Sequence, residues 1–168
     1  MVEGEWHDMS YYIAYGSNLN KEQMKYRCPT AHVVGNGYLM DYELVFRMYA
    51  TIEKASGEKV PITVWSIDSE CEKSLDRYEG YPRLYGKEIL EVEMDGKREK
   101  MMAYTMTEGY AMGVPSEHYL ATIRTGYQEA GFDEDVLMAG VEKSRERMKQ
   151  EMEAERMEEA SWSQQLPL

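Results

Sequence analysis

The first residues whose types could do chemistry lie in a short turn near the start of the chain. Residues 11–15 are aromatic and apolar, which is typical of a strand, and residues 16–18 form the turn sequence Gly-Ser-Asn. Asn20 is a candidate helix N-cap, with Gln23 as its capping-box partner. A strand that enters a helix through such a turn exposes backbone N–H groups, which suits an anion. An ordinary strand–turn–helix connection has the same pattern, so both interpretations stay open.

The second candidate is Glu79, which is predicted to lie in the last turn of a helix that ends at Gly80. The C-terminal end of a helix carries partial negative charge, which disfavours a carboxylate there. If Tyr78 and Tyr81 also shield Glu79 from water, its pKa is expected to rise toward neutrality. A carboxyl group in that state can take and return a proton at working pH. The alternative is a solvated surface glutamate, one of many in an acidic chain.

Several tyrosines follow these candidates and could line a pocket, because a tyrosine has an apolar body and a hydrogen-bonding tip. Tyr85 is favoured, since it lies in a proline-containing loop. Two others have a helical spacing that is more typical of core residues, Tyr119 and Tyr127. The full set is Tyr78, Tyr81, Tyr85, Tyr104, Tyr119 and Tyr127. His32 and His118 have no partner at metal-ligand spacing, so no metal site is predicted.

Composition and charge limit the classes of partner. The net charge is −12, from 31 acidic and 19 basic residues, which argues against nucleic acid. Residues 1–10 are acidic and polar, unlike a signal peptide, and no apolar stretch is long enough to span a bilayer. Cys28 and Cys71 form no C-x-x-C pair, and two cysteines are too few to indicate a disulfide framework, which favours a reducing compartment. Cys71 is assigned to the core. These observations predict a cytoplasmic protein without a membrane partner.

The elements that must position these residues are mostly short strands with interspersed helices. Ser69, Ser116 and Asp133 are candidate N-caps of three helices, and Asp95-Gly96 is a hairpin signal. Ser-Gly-Glu-Lys at residues 56–59 is expected to be a turn. This order predicts an α+β fold with a small mixed or closed β-barrel and flanking short helices, followed by a charged C-terminal helix.

Two segments resemble the signatures of a known family. The Tyr-Gly-Ser-Asn-Leu sequence at residues 15–19 resembles the YGSNL signature of the γ-glutamyl cyclotransferase-like, or AIG2-like, family. The Leu-Asp-Arg-Tyr-Glu-Gly-Tyr-Pro sequence at residues 75–82 resembles its LDxYEGxP hallmark. The resemblance covers roughly residues 11–144 and fits a bacterial-type branch. Both motifs occur in the family's order, and their combination is specific.

The resemblance implies an enzyme that cyclises a γ-glutamyl amide to 5-oxoproline and releases the amine, without a metal or an organic cofactor. It implies that Glu79 is the general acid/base and that the loop amides hold the glutamyl end of the substrate. The expected substrate-binding residues are Tyr15, Gly16, Ser17, Asn18, Leu19 and Tyr85. The alternative is a non-catalytic small-molecule-binding module on the same scaffold, because one fold can serve unrelated functions.

The predicted domain organisation has three parts. Residues 1–10 are an N-terminal extension, residues 11–144 are the γ-glutamyl cyclotransferase-like domain, and residues 145–168 are a charged helical tail. The tail is expected to be a solvated helix. Met148 and Met152 are four residues apart on it, so a weak homo-oligomer through this helix is a further possibility.

Overall fold

The structure is a computed structural model that describes residues 9–167. The predicted N-terminal extension therefore lies outside the described residues, except for its last two. Five strands and four α-helices follow one another along the chain, with a short 3₁₀ turn after the first strand. In order they are β1 (Ser10–Ala14), the 3₁₀ turn (Ser17–Leu19), α1 (Lys21–Arg27), β2 (His32–Arg47), β3 (Tyr49–Ile67), α2 (Ser69–Glu79), β4 (Tyr85–Met94), β5 (Lys97–Met106), α3 (Glu117–Ala130) and α4 (Glu134–Gln165).

The five strands close into a barrel in the order β1-β3-β2-β4-β5. β1 is antiparallel to β3 and parallel to β5, so the barrel is mixed. β4 and β5 form a hairpin across Asp95 and Gly96, which both have positive φ angles, as a tight two-residue turn requires. The predicted α+β fold with a small mixed barrel and flanking helices is confirmed.

β2 and β3 have 16 and 19 residues, so they are longer than the short strands that the sequence predicts. The predicted Ser-Gly-Glu-Lys turn is wrong, because this segment lies inside β3. Met40 pairs with Lys59 and Tyr42 pairs with Lys54, so four residues of β3 lie opposite Asp41 alone. The Asp41 carboxylate accepts a hydrogen bond from a backbone N–H of this bulge, at 2.9 Å. A local turn signal thus produces a bulge when both flanking segments pair with the same neighbouring strand.

The helix caps follow the sequence closely. Asn20, Ser116 and Asp133 are N-caps, and each side chain accepts a backbone N–H of the first turn. The predicted cap of α2 is wrong by one residue: Asp68 is the N-cap, and Ser69 is the first helical residue. An ionised carboxylate accepts this hydrogen bond at a helix N-terminus more strongly than a hydroxyl does.

The expectation of unpaired cysteines is wrong, because Cys28 and Cys71 form a disulfide. Cys28 is the C-cap of α1 and Cys71 lies in the first turn of α2. Cys71 is buried, as expected for the apolar helix face, but it is a cross-link and not an isolated core residue. The two cysteines are 43 residues apart, and only the packing of α1 against α2 brings them together. The argument from cysteines for a reducing compartment therefore no longer holds.

α4 is one continuous helix, so the boundary predicted between residues 144 and 145 falls inside it. Its first half packs on β2: Ser144 is buried and its hydroxyl accepts the backbone N–H of Phe46, at 2.8 Å. From residue 151 to the end of the helix every residue is exposed. None of the helices in the described part of the chain is long and apolar enough to cross a membrane.

Candidate active site

The loop after β1 is a tight 3₁₀ turn that lies against β3 and α3. The Leu19 N–H donates to the Gly16 carbonyl at 3.0 Å, and the Asn20 N–H donates to the Ser17 carbonyl at 3.1 Å. Position 16 has little room for a side chain, because a Cβ there would make a tight contact of 3.3 Å with the Ala50 Cβ. No backbone hydrogen bond between the described loops uses the Ser17 or Asn18 N–H groups. These two donors stay available at the edge of a cavity.

Glu79 is the last residue of α2, as predicted, and Gly80 ends the helix in the left-handed conformation. Burial raises the pKa of Glu79 to about 7, and the positive charge of Arg27 opposes this rise. The flanking residues Tyr78 and Tyr81 are themselves 43% and 41% exposed. Glu79 lines a cavity together with residues of the loop and the barrel.

This cavity lies between the loop, the end of α2 and the barrel. Its volume is about 310 Å³, counting its opening to solvent. Most of its lining side chains are tyrosines, and none is basic. The lining residues are Tyr12, Tyr15, Gly16, Ser17, Asn18, Ala50, Glu79, Tyr85, Tyr104 and Tyr119. The charge of Glu79 raises the pKa of Tyr12, Tyr15, Tyr85 and Tyr119 beyond the larger effect of their own burial, so these phenols are neutral hydroxyls.

Three of the cavity tyrosines donate their hydroxyl protons to protein acceptors. Tyr15 donates to the backbone carbonyl of Tyr104 at 2.5 Å. Tyr85 donates to the backbone carbonyl of Ala50 at 2.6 Å, and Tyr104 donates to the Asp76 carboxylate at 2.5 Å. A phenol has one proton, so these three groups can present only lone pairs to a ligand.

The other two cavity tyrosines accept hydrogen bonds instead. The Tyr12 hydroxyl accepts from the Asn18 side-chain Nδ2 at 2.9 Å, and the Tyr119 hydroxyl accepts from the Ala50 N–H at 3.1 Å. Each of these hydroxyls therefore keeps its own proton for a further acceptor. The cavity combines one carboxyl group with two available phenol donors and two available backbone N–H donors. Such a site suits a ligand that has both a proton to lose and an anionic group to bind.

The structure brings together six of the seven residues that the sequence singles out for the site. Glu79, Tyr85 and the loop residues Tyr15, Gly16, Ser17 and Asn18 all line the cavity. Leu19 does not line it. It is buried against Gly126 of α3, where a Cβ would come within 2.6 Å of the Leu19 Cβ.

Sequence reasoning misses Tyr12, Ala50 and the role of Arg27, and it assigns Tyr119 to the core. Tyr119 has a helical spacing that core and cavity residues share, so periodicity cannot separate the two. Tyr12 precedes the loop by three residues on β1, and its period-2 alternation with Ala14 is the one signal that could have placed it on the loop's side of the strand. Ala50 contributes a backbone N–H to the Tyr119 hydroxyl and a backbone carbonyl to the Tyr85 hydroxyl, and such backbone contacts leave no mark in the sequence.

A closed mixed barrel with a partly buried carboxyl group in a tyrosine-lined cavity forms a site suited to proton transfer. The family model described as "Gamma-glutamyl cyclotransferase, AIG2-like" matches residues 12–123. This match spans more than half of the chain and includes every residue that lines the cavity. The chain belongs to the γ-glutamyl cyclotransferase, AIG2-like family.

Individual relatives agree with this assignment. The chain is 31% identical to a γ-glutamylcyclotransferase of Homo sapiens in an alignment of length 146 that covers 77% of this chain and 76% of the relative. It is 30% identical to a γ-glutamylcyclotransferase of Mus musculus in an alignment of length 140 that covers 74% of this chain and 73% of that relative. A solved structure of a γ-glutamyl cyclotransferase superimposes with a TM-score of 0.70 at 28% identity, over 82% of this chain and 87% of that chain.

Proposed function

We propose that the protein is an enzyme that cyclises a γ-glutamyl amide to 5-oxoproline and releases the amine. Family membership supports the reaction class. The observation that carries the proposal is the Glu79 carboxyl group, whose pKa is about 7 inside a cavity that has no basic side chain. At neutral pH this group is close to half ionised, which suits a residue that takes a proton early in a reaction and returns it later.

The proposed chemistry begins with the α-ammonium group of the substrate, which is not a nucleophile until it loses a proton. The Glu79 carboxylate takes that proton, and the free amine attacks the γ-carbonyl carbon of the same molecule. The five-membered ring closes as a C–N bond forms, and the bond from the carbonyl carbon to the leaving nitrogen breaks. Glu79 then gives its proton to the leaving nitrogen. The second proton of the attacking nitrogen passes by way of the Glu79 carboxylate to the released amine, which leaves as an ammonium ion, and the ring nitrogen keeps one hydrogen. The reaction is intramolecular, so holding the substrate in a curled conformation supplies much of the catalysis.

The available donors are assigned to the negative charges of the substrate. As it is attacked, the γ-carbonyl oxygen becomes an oxyanion, and a γ-glutamyl group also carries an α-carboxylate. We assign the Ser17 and Asn18 N–H groups and the Tyr12 and Tyr119 hydroxyls to these two anions. Neutral donors in a cavity without a basic side chain bind an anion without neutralising Glu79, the base that the reaction needs.

The enzyme class follows from the bond changes. The acyl group moves from one nitrogen to another within one molecule, which is an acyl transfer. No water enters and an amine is expelled, which is the criterion for an amine-lyase. We propose this description for the chain, with 5-oxoproline as the product to be measured.

The test is Glu79→Gln, which keeps the size of the side chain and removes its basicity. We expect 5-oxoproline formation from γ-glutamyl amino acids and γ-glutamylamines to fall by about 1000-fold. Glu70→Gln is the matched control, because Glu70 lies in the first turn of the same helix and is exposed. It should leave turnover unchanged, and both variants should keep a cooperative thermal transition.

Two outcomes would count against the proposal. Unchanged turnover in Glu79→Gln would exclude this residue as the acid/base. A folded wild-type protein that binds a γ-glutamyl compound but forms no 5-oxoproline would favour the binding module instead.

Two further properties stay predictions from the sequence. A cytoplasmic location has lost its support from the cysteines and can be tested by cell fractionation. A weak homo-oligomer through α4 would involve Met148 and Met152, of which Met152 is 61% exposed. Solution mass as a function of protein concentration measures that association.

A further inference from the structure

Arg27 lies outside both sequence motifs, yet it contacts a residue of each. It is the last residue of α1. Its guanidinium carbon lies 3.4 Å from the centroid of the Tyr78 ring, and Tyr78 immediately precedes Glu79. Its Nη1 donates a hydrogen bond to Asn18 Oδ1 at 2.9 Å. One planar cation therefore joins the loop to the end of the helix that presents the carboxyl group.

The hydrogen bond to Asn18 determines how the side-chain amide of that residue is oriented. With Oδ1 held by Arg27, the Nδ2 group points at the Tyr12 hydroxyl and donates to it. Tyr12 consequently keeps its own proton for the cavity. Without Arg27, the Asn18 side-chain amide can rotate by 180° and present Oδ1 to Tyr12. The Tyr12 hydroxyl would then donate its proton to Asn18 and have none left for a ligand. The two hydrogen bonds run from Arg27 to Asn18 and from Asn18 to Tyr12, and their direction decides whether the Tyr12 hydroxyl can donate to a ligand.

Arg27 is also the positive charge that acts on Glu79. It lowers the pKa of Glu79 against the larger effect of burial. The other titratable groups that line the cavity with Glu79 are phenols with raised pKa values, so they stay neutral across the working pH range. They are Tyr12 of β1, Tyr15 of the loop, Tyr85 of β4, Tyr104 of β5 and Tyr119 of α3.

The position of Arg27 is fixed by the links between α1 and α2. Cys28, the next residue, forms the disulfide with Cys71 of α2. Two residues further, the Thr30 hydroxyl donates to the Asp68 carboxylate, the N-cap of α2, at 2.7 Å. The end of α1 is therefore attached to the start of α2, while the Arg27 side chain contacts a residue near the end of α2.

We propose that Arg27 is a positioning residue of this site, which orients the Asn18 amide so that Tyr12 donates to the substrate and which favours the ionised form of Glu79. This assignment rests on the proposed function for its kinetic part. It predicts two separable effects, one on substrate binding through Tyr12 and one on the pH at which Glu79 becomes a base.

The kinetic test compares Arg27→Met with Lys25→Met, which removes the same charge from an exposed position on the same helix. We expect Arg27→Met to lower kcat/KM at pH 7 by about tenfold or more, because a charge-assisted hydrogen bond is lost. The acidic limb of its kcat/KM profile should move to higher pH. Arg27→Lys keeps the positive charge but loses the planar guanidinium group with its several N–H donors. It should therefore raise KM but leave the pH profile of kcat/KM unchanged. Lys25→Met should match the wild type in both.

A double-mutant cycle tests the route through Tyr12. In a Tyr12→Phe background the hydroxyl is absent, so Arg27→Met should raise KM little further. Independent, additive effects on KM would overturn this part of the proposal.

An NMR titration of the Glu79 carboxyl carbon separates this proposal from the proposed function, because it needs no substrate. The pKa of Glu79 should be higher in Arg27→Met than in the wild type and in Lys25→Met. An unchanged pKa in folded Arg27→Met would overturn the electrostatic role. If the wild type forms no 5-oxoproline but this pKa shift is present, the proposed function fails and the role of Arg27 toward Glu79 stands.

Discussion

Glutamates of two helices in this protein have opposite surroundings. At the end of α2, Glu79 lies in a cavity walled by tyrosines, and burial raises its pKa to about 7. In the outer part of α4, Glu153 is exposed and pairs with Arg156 three residues later, at 2.6 Å. Such a surface pair contributes little to stability. The two residues share a type and a helical conformation, so the chemistry available to each is set by what surrounds it.

The largest effect on stability expected from this contrast concerns pH. The pKa of Glu79 is about 7 in the folded protein, whereas a glutamate that is not buried by folding has a pKa of 4.5. Between these values the folded state binds more protons than the unfolded state, so stability falls as pH rises and is flat again above about pH 7. The difference corresponds to roughly 3 kcal/mol at most. Denaturant unfolding from pH 4 to pH 8 should show this loss in the wild type.

Glu79→Gln isolates the contribution of this residue, because glutamine does not titrate. The pH-dependent loss of stability should be smaller in Glu79→Gln, whereas Glu153→Gln should follow the wild-type curve. Parallel curves for wild type and Glu79→Gln would mean that the Glu79 carboxyl group is hydrated in the folded protein.

The next effect concerns the packing behind the loop. A Cβ at Gly126 would lie 2.6 Å from the Leu19 Cβ and 2.8 Å from the Asn20 backbone nitrogen. Gly126→Ala must therefore displace α3 or the loop, and we expect it to cost about 2 kcal/mol of unfolding free energy. Thr125→Ala, at an exposed position one residue earlier, is the control and should cost less than about 0.5 kcal/mol. Equal unfolding free energies for both variants would show that the loop can move without cost.

The smallest effect is expected from changes in the outer, exposed part of α4. Deleting residues 154–168 removes only exposed turns of α4 and the residues after it, and it retains Glu151, whose carboxylate accepts the Met112 N–H. The unfolding free energy should change by less than about 0.5 kcal/mol, and kcat/KM should stay the same. A smaller number of chains per particle in solution after the deletion would instead reveal an assembly that depends on this helix.

The sequence predicts the features that depend on local chemistry. The caps Asn20, Ser116 and Asp133 and the Asp95-Gly96 hairpin are such features, because each depends on a few adjacent residues. The position of Glu79 at a helix end is another. Features that depend on distant contacts are missed. The bulge opposite Asp41 and the disulfide between Cys28 and Cys71 belong to this second group, since strand pairing and helix packing create them.

The candidate site divides in the same way. The two short sequence motifs identify the loop and the carboxyl group of the site, but they do not identify the hydrogen-bond donors that complete the cavity. Tyr119 reaches it from α3 and Tyr12 from β1, and the hydrogen-bond partners of their hydroxyls decide that each keeps a proton. Leu19 belongs to the motif and supports the loop from the core instead. Membership of a motif and contact with the cavity are therefore different properties.

The most direct test of the central claim is the pH dependence of 5-oxoproline formation. If Glu79 must be ionised to take the substrate proton, kcat/KM should rise with pH through a transition near 7. This transition should be absent from any residual activity of Glu79→Gln. A wild-type profile that is already flat from pH 5 to pH 8 would contradict the account, because the base would then be an ordinary solvated carboxylate or another group.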